Sequence, residues 1–338
     1  MTRRQNFIKT IAAGVLAVVA GTVQAADLTV VRYQEYPGSI INLGTWVMRE
    51  QGFCEKQGLD CQAMMLANGP LAQQAAAAGS VDLIVSSMDV MLQAADKGND
   101  LVVVGPMMKN NLYSLSVRSD VPQPNRDKGY PENMKDLVGK RVGVTARGSG
   151  TEMYVRTLLQ GAGLGPTDVT YIGVGSPATA YSALMAKQVD AILSWDPIPA
   201  VCAASGTCNV VVDMSKNEGP DSVKAMNGGF VVWQARREYR DKNEDVIRRF
   251  LAAQSAAFDW LKNPANKEQV MKLVSDNFKL GDIPNREEVT AAVVKSVLDQ
   301  YDTSFDPAVL DGFNNFLVSN KLVSKPLQAD RVLSIVSQ

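Results

Sequence analysis

Val81-Asp82-Leu83-Ile84-Val85-Ser86 and Val189-Asp190-Ala191-Ile192-Leu193-Ser194 are two versions of one segment, set 108 residues apart. Each passes through Val-Asp into a short apolar run that ends at Ser. Each follows a helix with a capping residue and a Pro in its first turn, Asn68-Gly69-Pro70 in one copy and Ser176-Pro177 in the other. Any two βαβ units share some of this likeness, so it fits either internal duplication or the common unit; both imply two similar lobes.

Outward from these segments the chain alternates short β-branched runs with amphipathic helices, the pattern of an α/β protein with mainly parallel sheet. Strands are predicted at 28–33, 59–65, 81–85, 101–106, 141–145, 169–172, 191–194 and 209–213, and helices at 39–51, 70–78, 88–97, 152–161 and 177–187. In the first helix Ile40, Leu43, Val47 and Met48 share a face, with Ser39 as N-cap and Gly52 as stop. After residue 230 the periodicity is helical, over 243–262, 267–277, 286–301 and 307–319. The expected fold is therefore two-lobed α/β, each lobe a mainly parallel sheet flanked by helices. Lobe one comprises 26–113 and 234–338, and lobe two 114–233, with hinge strands near 114–117 and 229–233.

The 338 residues are 46% hydrophobic and 20% charged, enough for one large or two medium globular domains. Thirty-four Lys+Arg against 35 Asp+Glu leave a net charge of -1 and no basic run for a phosphate backbone, so nucleic acid is not expected as a partner. The absence of histidine removes His-based triads, imidazole metal sites and the HExxH zincins. Residues 1–25 read as a cleaved signal peptide: Arg3, Arg4 and Lys9 precede an apolar run from Ile11 to Ala20, and Val23-Gln24-Ala25 offers the cleavage site. The run is too short to span a bilayer, and no Cys stands at the cleavage point for a lipid anchor. A free periplasmic protein is expected, with 31 cations against 35 carboxylates, or -4.

Export gives meaning to the cysteines. Cys54 with Cys61 and Cys202 with Cys208 form two close pairs, each suited to a local disulfide worth about 2–3 kcal/mol by chain entropy. The competing reading, one four-thiolate metal site, lacks any CxxC spacing and any histidine, and no metal or other cofactor is expected.

In open α/β lobes, ligands bind beyond the carboxyl ends of strands, where helix N-termini offer free N–H groups. The candidates there are Gln34, Glu35 and Tyr36 after the first strand, Ser86, Ser87 and Met88 after the third, and Lys109, Asn110 and Asn111 after the fourth. In the second lobe they are Arg147 to Thr151, Gly175-Ser176 and Trp195-Asp196. Gly148, Ser149, Gly150 and Thr151 have the composition of an anion nest, although Ser149 with Glu152 equally spells a capping box. Ser86 and Ser87 read also as caps, Asp196 as a cap, Trp195 as core and Arg32 as a surface charge. No Ser has a visible base, and the carboxylates are scattered, so catalysis is not expected.

Val31-Arg32-Tyr33-Gln34, the Glu50-to-Leu59 turn, Gly139-Lys140-Arg141-Val142-Gly143-Val144 before a Gly-Ser turn, and Val189-Asp190-Ala191 running into Trp195-Asp196-Pro197 resemble the nitrate/sulfonate/taurine-type substrate-binding proteins of ABC importers. The resemblance covers essentially the whole mature chain. It implies a monomeric, type II periplasmic binding fold that closes on a small anion and delivers it to a membrane permease with its ATPase. By position it places the pocket on Gln34 to Gly38, Ser86 to Met88, Gly148 to Thr151, Trp195-Asp196 and Asn227-Gly228. Tyr36, Tyr181 and Trp195 would give aromatic walls suited to an aromatic carboxylate or arylsulfonate as well as an aliphatic one. Nitrate, a neutral pyrimidine, or a ligand-presenting sensor role are the alternatives. A thiamine-pyrimidine synthase shares the implied fold but uses its own histidine and a Cys-rich iron site, neither of which this chain has.

Overall fold

The computed structural model describes residues 27–277 and 285–336; the expected signal peptide lies outside them. The described strands are β1 (Thr29–Glu35), β2 (Leu59–Met65), β3 (Ile84–Ser87), β4 (Leu101–Met108), β5 (Ser114–Arg118), β6 (Arg141–Val144), β7 (Thr170–Gly173), β8 (Ala191–Ser194), β9 (Cys208–Asp213) and β10 (Val231–Arg236). The second lobe holds one sheet of order β7-β6-β8-β5-β9. In the first lobe the parallel pair β1-β2 meets β3-β10-β4 through the parallel bridge Tyr33–Leu83, where the Gln34 N–H donates to the Leu83 carbonyl at 2.9 Å. The order β2-β1-β3-β10-β4 matches that of the second lobe place for place. In each sheet the fourth strand, β10 or β5, runs antiparallel to its neighbours.

That antiparallel strand is where the chain arrives from the other lobe. The segment expected as a hinge at 114–117 is β5, already paired on both sides within the second sheet. The return segment, expected at 229–233 and assigned to lobe two, has joined the first sheet by Val231. The chain between the sheets is thus 109–113 on the way out and the last residues of 214–230 on the way back. These passages are pinned together because the Lys109 carbonyl accepts the N–H groups of Gly228, Gly229 and Phe230 at 2.6, 2.9 and 3.2 Å.

The sequence repeat extends to side chains. Asp82 accepts the backbone N–H of Arg32 at 2.9 Å and holds its guanidinium through Nε (3.0 Å) and Nη2 (2.7 Å). Asp190 holds Arg141 through the same three groups at 3.0, 3.1 and 2.8 Å. Each clasp ties the entry to the third strand of its sheet, β3 or β8, to the second, β1 or β6. Arg32 is therefore a fixed partner rather than a free surface charge.

Cys54 is bonded to Cys61 and Cys202 to Cys208, as the spacing predicts. The first bond ties the turn Phe53–Lys56 to β2, and the second ties the helix Ile198–Ser205 to β9. The sequence marks only the start of that helix, at Asp196-Pro197, and not its extent, because its Ala-rich run Ala200 to Ala204 lacks a polar face to mark a period. The first predicted helix splits into a 3-10 turn Ile40–Asn42 and the helix Leu43–Glu50, and Ser39 makes no capping bond. The C-terminal helices Glu244–Lys262, Lys267–Asn277, Arg286–Gln300 and Val309–Ser319 pack chiefly on the first lobe, and Arg286–Gln300 also reaches Ile198–Ser205 of the second. No helix among the described residues is long and apolar enough to cross a membrane.

Candidate functional site

The lobes face each other through the loops that follow the carboxyl ends of their strands, and polar bonds cross between them, among them one from Gln93 Nε2 to Met153 Sδ at 3.2 Å. The Trp195 indole N–H donates to the Ser39 hydroxyl at 2.7 Å, Ser176 Oγ to the Pro37 carbonyl at 2.6 Å, and Ser296 Oγ to Asp196 Oδ2 at 2.5 Å. Backbone approach is tight on both sides. A Cβ on Gly38 would stand 2.8 Å from the Ala178 Cβ, and one on Gly150 3.0 Å from Val90 Cγ2, 3.3 Å from Ser87 Oγ and 3.4 Å from the Tyr113 hydroxyl. Only glycine lets the lobes come this close at Gly38 and Gly150.

Two hollows remain between these contacts. The inner one, about 20 Å³, is lined by Tyr36, Ile41, Ser86, Ser87, Leu112, Tyr113, Trp195 and Val231. The outer one, about 280 Å³, is bounded by Trp195, Asp196, Asp213, Ser215 and Lys216 of the second lobe and by Ile41, Ser296 and Gln300 of the first. Ile41, Leu112 and Trp195 line both and form the partition between them. The inner hollow holds about one water, so a ligand reaching it has to part the lobes. The walls are aromatic: Trp195 meets Tyr36 edge-on at 5.6 Å and Tyr113 at 5.9 Å, and Tyr113 meets Tyr154 at 5.2 Å. Burial pushes the Tyr36 hydroxyl up to about 12, and Tyr113 and Tyr154 rise for the same reason, so all three stay protonated donors.

The expected site residues divide sharply. Tyr36, Ser86, Ser87, Trp195 and Asp196 line the hollows. Gln34 does not: its Oε1 accepts the Val85 N–H at 2.9 Å and its Nε2 donates to the Leu66 carbonyl, a side-chain bridge where β1 and β3 pair only briefly. Glu35 is buried against Arg49, Thr45 and Trp46. Met88 is buried in the core and lines neither hollow, and neither does half-buried Asn110. Asn227 braces the passages between the lobes, accepting the Asn111 N–H at 2.9 Å and donating to Asn217 at 2.8 Å. Tyr181 bonds Thr207, and it is Tyr113 that supplies the third aromatic wall.

The loop at 147–152 differs most from its sequence reading. Glu152 accepts the Gly148 N–H at 2.9 Å and the Arg147 Nε at 2.8 Å through one oxygen, and the Arg156 guanidinium at 2.6 Å through the other. Burial opposes the Glu152 charge, but the Arg156 bond, with Gly148 and Arg147, carries its pKa below the ordinary range. Ser149 makes no cap; its hydroxyl donates to the Ala146 carbonyl at 2.7 Å and lies 2.9 Å from that of Thr151, which accepts the Thr145 N–H. Gly148 is exposed, whereas the backbone at Gly150 stands close against the opposite lobe. The Gly148 N–H of the expected nest is taken by the protein's own carboxylate.

The sequence reading missed Tyr113, Asp213, Lys216, Ser296 and Gln300. Ser296 and Gln300 stand one helical turn apart on a helix read only as packing, and that i, i+4 polar pair on an otherwise aliphatic face was the available signal. Asp196 is pushed up to about 6, chiefly by burial, against the Ser296 bond. Lys216, paired with Asp213 at 2.9 Å, is the one cation lining either hollow among the described residues.

Paired α/β lobes of identical strand order, joined by two passages and closing over an interlobe hollow, define a periplasmic binding protein fold. The NMT1/THI5-like family model matches residues 42–267, and the chain belongs to that family. The chain is 29% identical over 237 residues, 70% of it and 67% of the relative, to a binding protein of Brucella abortus. It is 28% identical over 303 residues, 87% of it and 83% of the relative, to an aliphatic sulfonates-binding protein of Escherichia coli. The alkanesulfonate-binding protein SsuA of Xanthomonas axonopodis pv. citri, solved with MOPS, superposes with a TM-score of 0.70 at 20% identity, covering 92% of this chain and 100% of that one. The resemblance to ABC-importer substrate-binding proteins stands on these matches.

Proposed function

We propose that the protein is the solute-binding component of an ABC importer, taking a small organic acid, a sulfonate or carboxylate, between its lobes in the periplasm and delivering it as a monomer to a membrane permease and its ATPase. The observation that carries this reading is the set of cross-lobe bonds around an aromatic-walled hollow, Trp195 to Ser39 above all. Such contacts exist only when the lobes are together, so a ligand that bridges the lobes shifts the balance toward closure by its differential affinity for the closed form. The sulfonate-binding relatives support an acid as cargo, and Tyr36, Tyr113 and Trp195 favour one with an aromatic or otherwise flat body.

The test is a thermal-shift screen of ligand-stripped protein against aliphatic and aromatic sulfonates and carboxylates, nitrate and pyrimidines. A ligand at about a hundred times its dissociation constant adds roughly 2.7 kcal/mol of apparent stability. Trp195→Ala should weaken the best hit at least about tenfold, since it removes a wall and a closure bond together. Shifts with nitrate or pyrimidines alone, or full affinity in Trp195→Ala, would overturn the reading.

A further inference from the structure

Two first-lobe pieces that reach the second lobe lie far apart in the chain and meet at one hydroxyl. The loop after β1 supplies the Pro37 carbonyl, the close approach at Gly38 and the Ser39 hydroxyl, and the helix Arg286–Gln300 supplies Ser296. The loop is closed on itself by Asn42, whose Oδ1 accepts the Tyr36 N–H at 3.1 Å while its Nδ2 donates to the Tyr36 carbonyl at 2.6 Å. Directly after the helix, the Tyr301 hydroxyl donates to the Ile41 carbonyl and accepts the Gly44 N–H, both at 2.9 Å. Ile41 belongs to the partition between the hollows. Gly44 stands in the first turn of the helix Leu43–Glu50, where an N–H has no partner within its own helix.

The Tyr301 ring is fixed independently of these bonds. It is 3% exposed and stacks on Phe258 with centroids 4.2 Å apart and planes 13° from parallel. A Cβ on Gly44 would stand 2.5 Å from Phe258 Cε1, so glycine there lets the helix Leu43–Glu50 come down onto the ring that carries Tyr301. Burial raises the hydroxyl above its ordinary pKa and keeps it a protonated donor. The backbone beside it is stitched to the way out of the first lobe: the Lys109 N–H donates to the Gln300 carbonyl at 3.0 Å, and the Asp302 N–H to the Met107 carbonyl at 3.1 Å. Lys109 is also the residue whose carbonyl holds the return passage. Tyr301 therefore joins the loop, the helix and the passages between the lobes.

We propose that Tyr301 is a positioning residue for closure: its hydroxyl makes the loop 36–42 and the helix Arg286–Gln300 one jaw, so that the Ser39 and Ser296 contacts with the second lobe form and break together. This rests on the reading of the interlobe cleft as a site that closes over its cargo. Without the hydroxyl, the loop is free to fall back while the helix stays docked, and the partition at Ile41 loosens with it.

Two indoles separate this role from simple stability. The Trp195 N–H is bonded to Ser39 only while the lobes are together, whereas the fully buried Trp233 indole, bonded to Gln254 in the first lobe, reports opening of the fold itself. Hydrogen exchange of both is followed by NMR in the mature protein, with and without benzenesulfonate in millimolar excess, in wild type, Tyr301→Phe, Ser296→Ala and the double variant. Tyr301→Phe keeps the ring and its stack but leaves two buried backbone groups unpaired, and it should speed Trp195 exchange about tenfold more than Trp233 exchange. Ser296→Ala alters neither Trp195 nor Ser39, yet it should speed Trp195 exchange at least about threefold in wild type and less than about twofold when added to Tyr301→Phe. A packing role alone would speed Trp233 and leave the ratio of the two indoles unchanged, which overturns the proposal. So does a Ser296→Ala effect of equal size in both backgrounds, since the lobes would then close as rigid bodies without the hydroxyl. Should Tyr301→Phe fold poorly, Ser296→Ala in wild type decides alone: the threefold effect on Trp195 sustains the coupling, and no effect sinks it. Wild-type Trp195 exchanging as fast as half-buried Trp260 overturns it too, because no jaw is then held shut. If benzenesulfonate fails to slow Trp195 further while the variant pattern holds, the result counts against an aromatic sulfonate as cargo and leaves the role of Tyr301 standing.

Discussion

Two helix starts meet across the cleft and treat their polar groups in opposite ways. On the second-lobe side, Arg147 to Glu152 closes on itself: Glu152 takes the free N–H of Gly148 and two guanidinium groups, and the hydroxyls of Ser149, Thr151 and Thr145 bond one another and the backbone. On the first-lobe side, Ser87-Met88-Asp89 leaves a hydroxyl and a whole carboxylate buried without partners. The glycine-rich segment that looks like an anion nest in sequence is a finished structural unit. The plain Ser-Ser-Met-Asp segment opposite it is the unfinished one. Residue type alone does not distinguish these cases, because what decides is whether a complementary charge folds back from the same helix, as Glu152 does.

If that contrast is right, the second-lobe helix start contributes by shape and not by charge, and the largest effect should come from its shape. Gly150→Leu places a side chain where even a Cβ meets Val90, Ser87 and Tyr113. Overpacking of this kind costs about 3 kcal/mol, here charged only to the closed form, so affinity should fall roughly 100-fold while the melting temperature of ligand-free protein moves little. Unchanged affinity would mean that these two surfaces do not meet when ligand is held.

Glu152→Gln sharpens the other half of the contrast. It leaves Arg147, Arg156 and the Gly148 N–H without their anion, and since both arginines are partly exposed the loss should be about 1–2 kcal/mol, seen as a lower urea midpoint. Ligand affinity should stay within about twofold. A large loss of affinity with unaltered stability would return the anion site to this loop.

Much of the fold was legible because it is carried by periodicity and by the Val-Asp repeat, both of which are local. The repeat even marks a contact, since the Asp of each copy clasps an arginine two strands away in sequence, although nothing in Arg32 or Arg141 alone says so. The site was legible at Tyr36, Ser86, Ser87, Trp195 and Asp196, which stand directly after strands. It was illegible where a polar side chain is spent on the frame, as Gln34 and Asn227 are, and where the wall comes from far along the chain, as Ser296 and Gln300 do. Those assignments depend on which strand ends and helices face each other after both lobes have formed. The hinge limits slipped for a similar reason: β5 and β10 look like connectors in sequence but are each held on both sides by a sheet.

The smallest effects test the claim that the lobes differ at the cleft and match away from it. Asp82→Asn and Asp190→Asn break equivalent clasps, so each should cost a similar amount, about 1 kcal/mol with solvent screening at the partly exposed arginines, and neither should alter ligand affinity. Asp190 adds a pH signature. Its bond to Arg141, opposed by burial and helped by the Arg141 N–H, lowers its pKa to about 2, below the ordinary value near 4. A depressed folded-state pKa stabilises the protein above the unfolded value, so the contribution is complete above about pH 4 and disappears as pH falls toward 2. Urea unfolding of wild type and Asp190→Asn should therefore differ above pH 4 and converge as pH approaches 2. A gap that stayed constant across that range would show that the Asp190 charge is not what holds β6 to the start of β8.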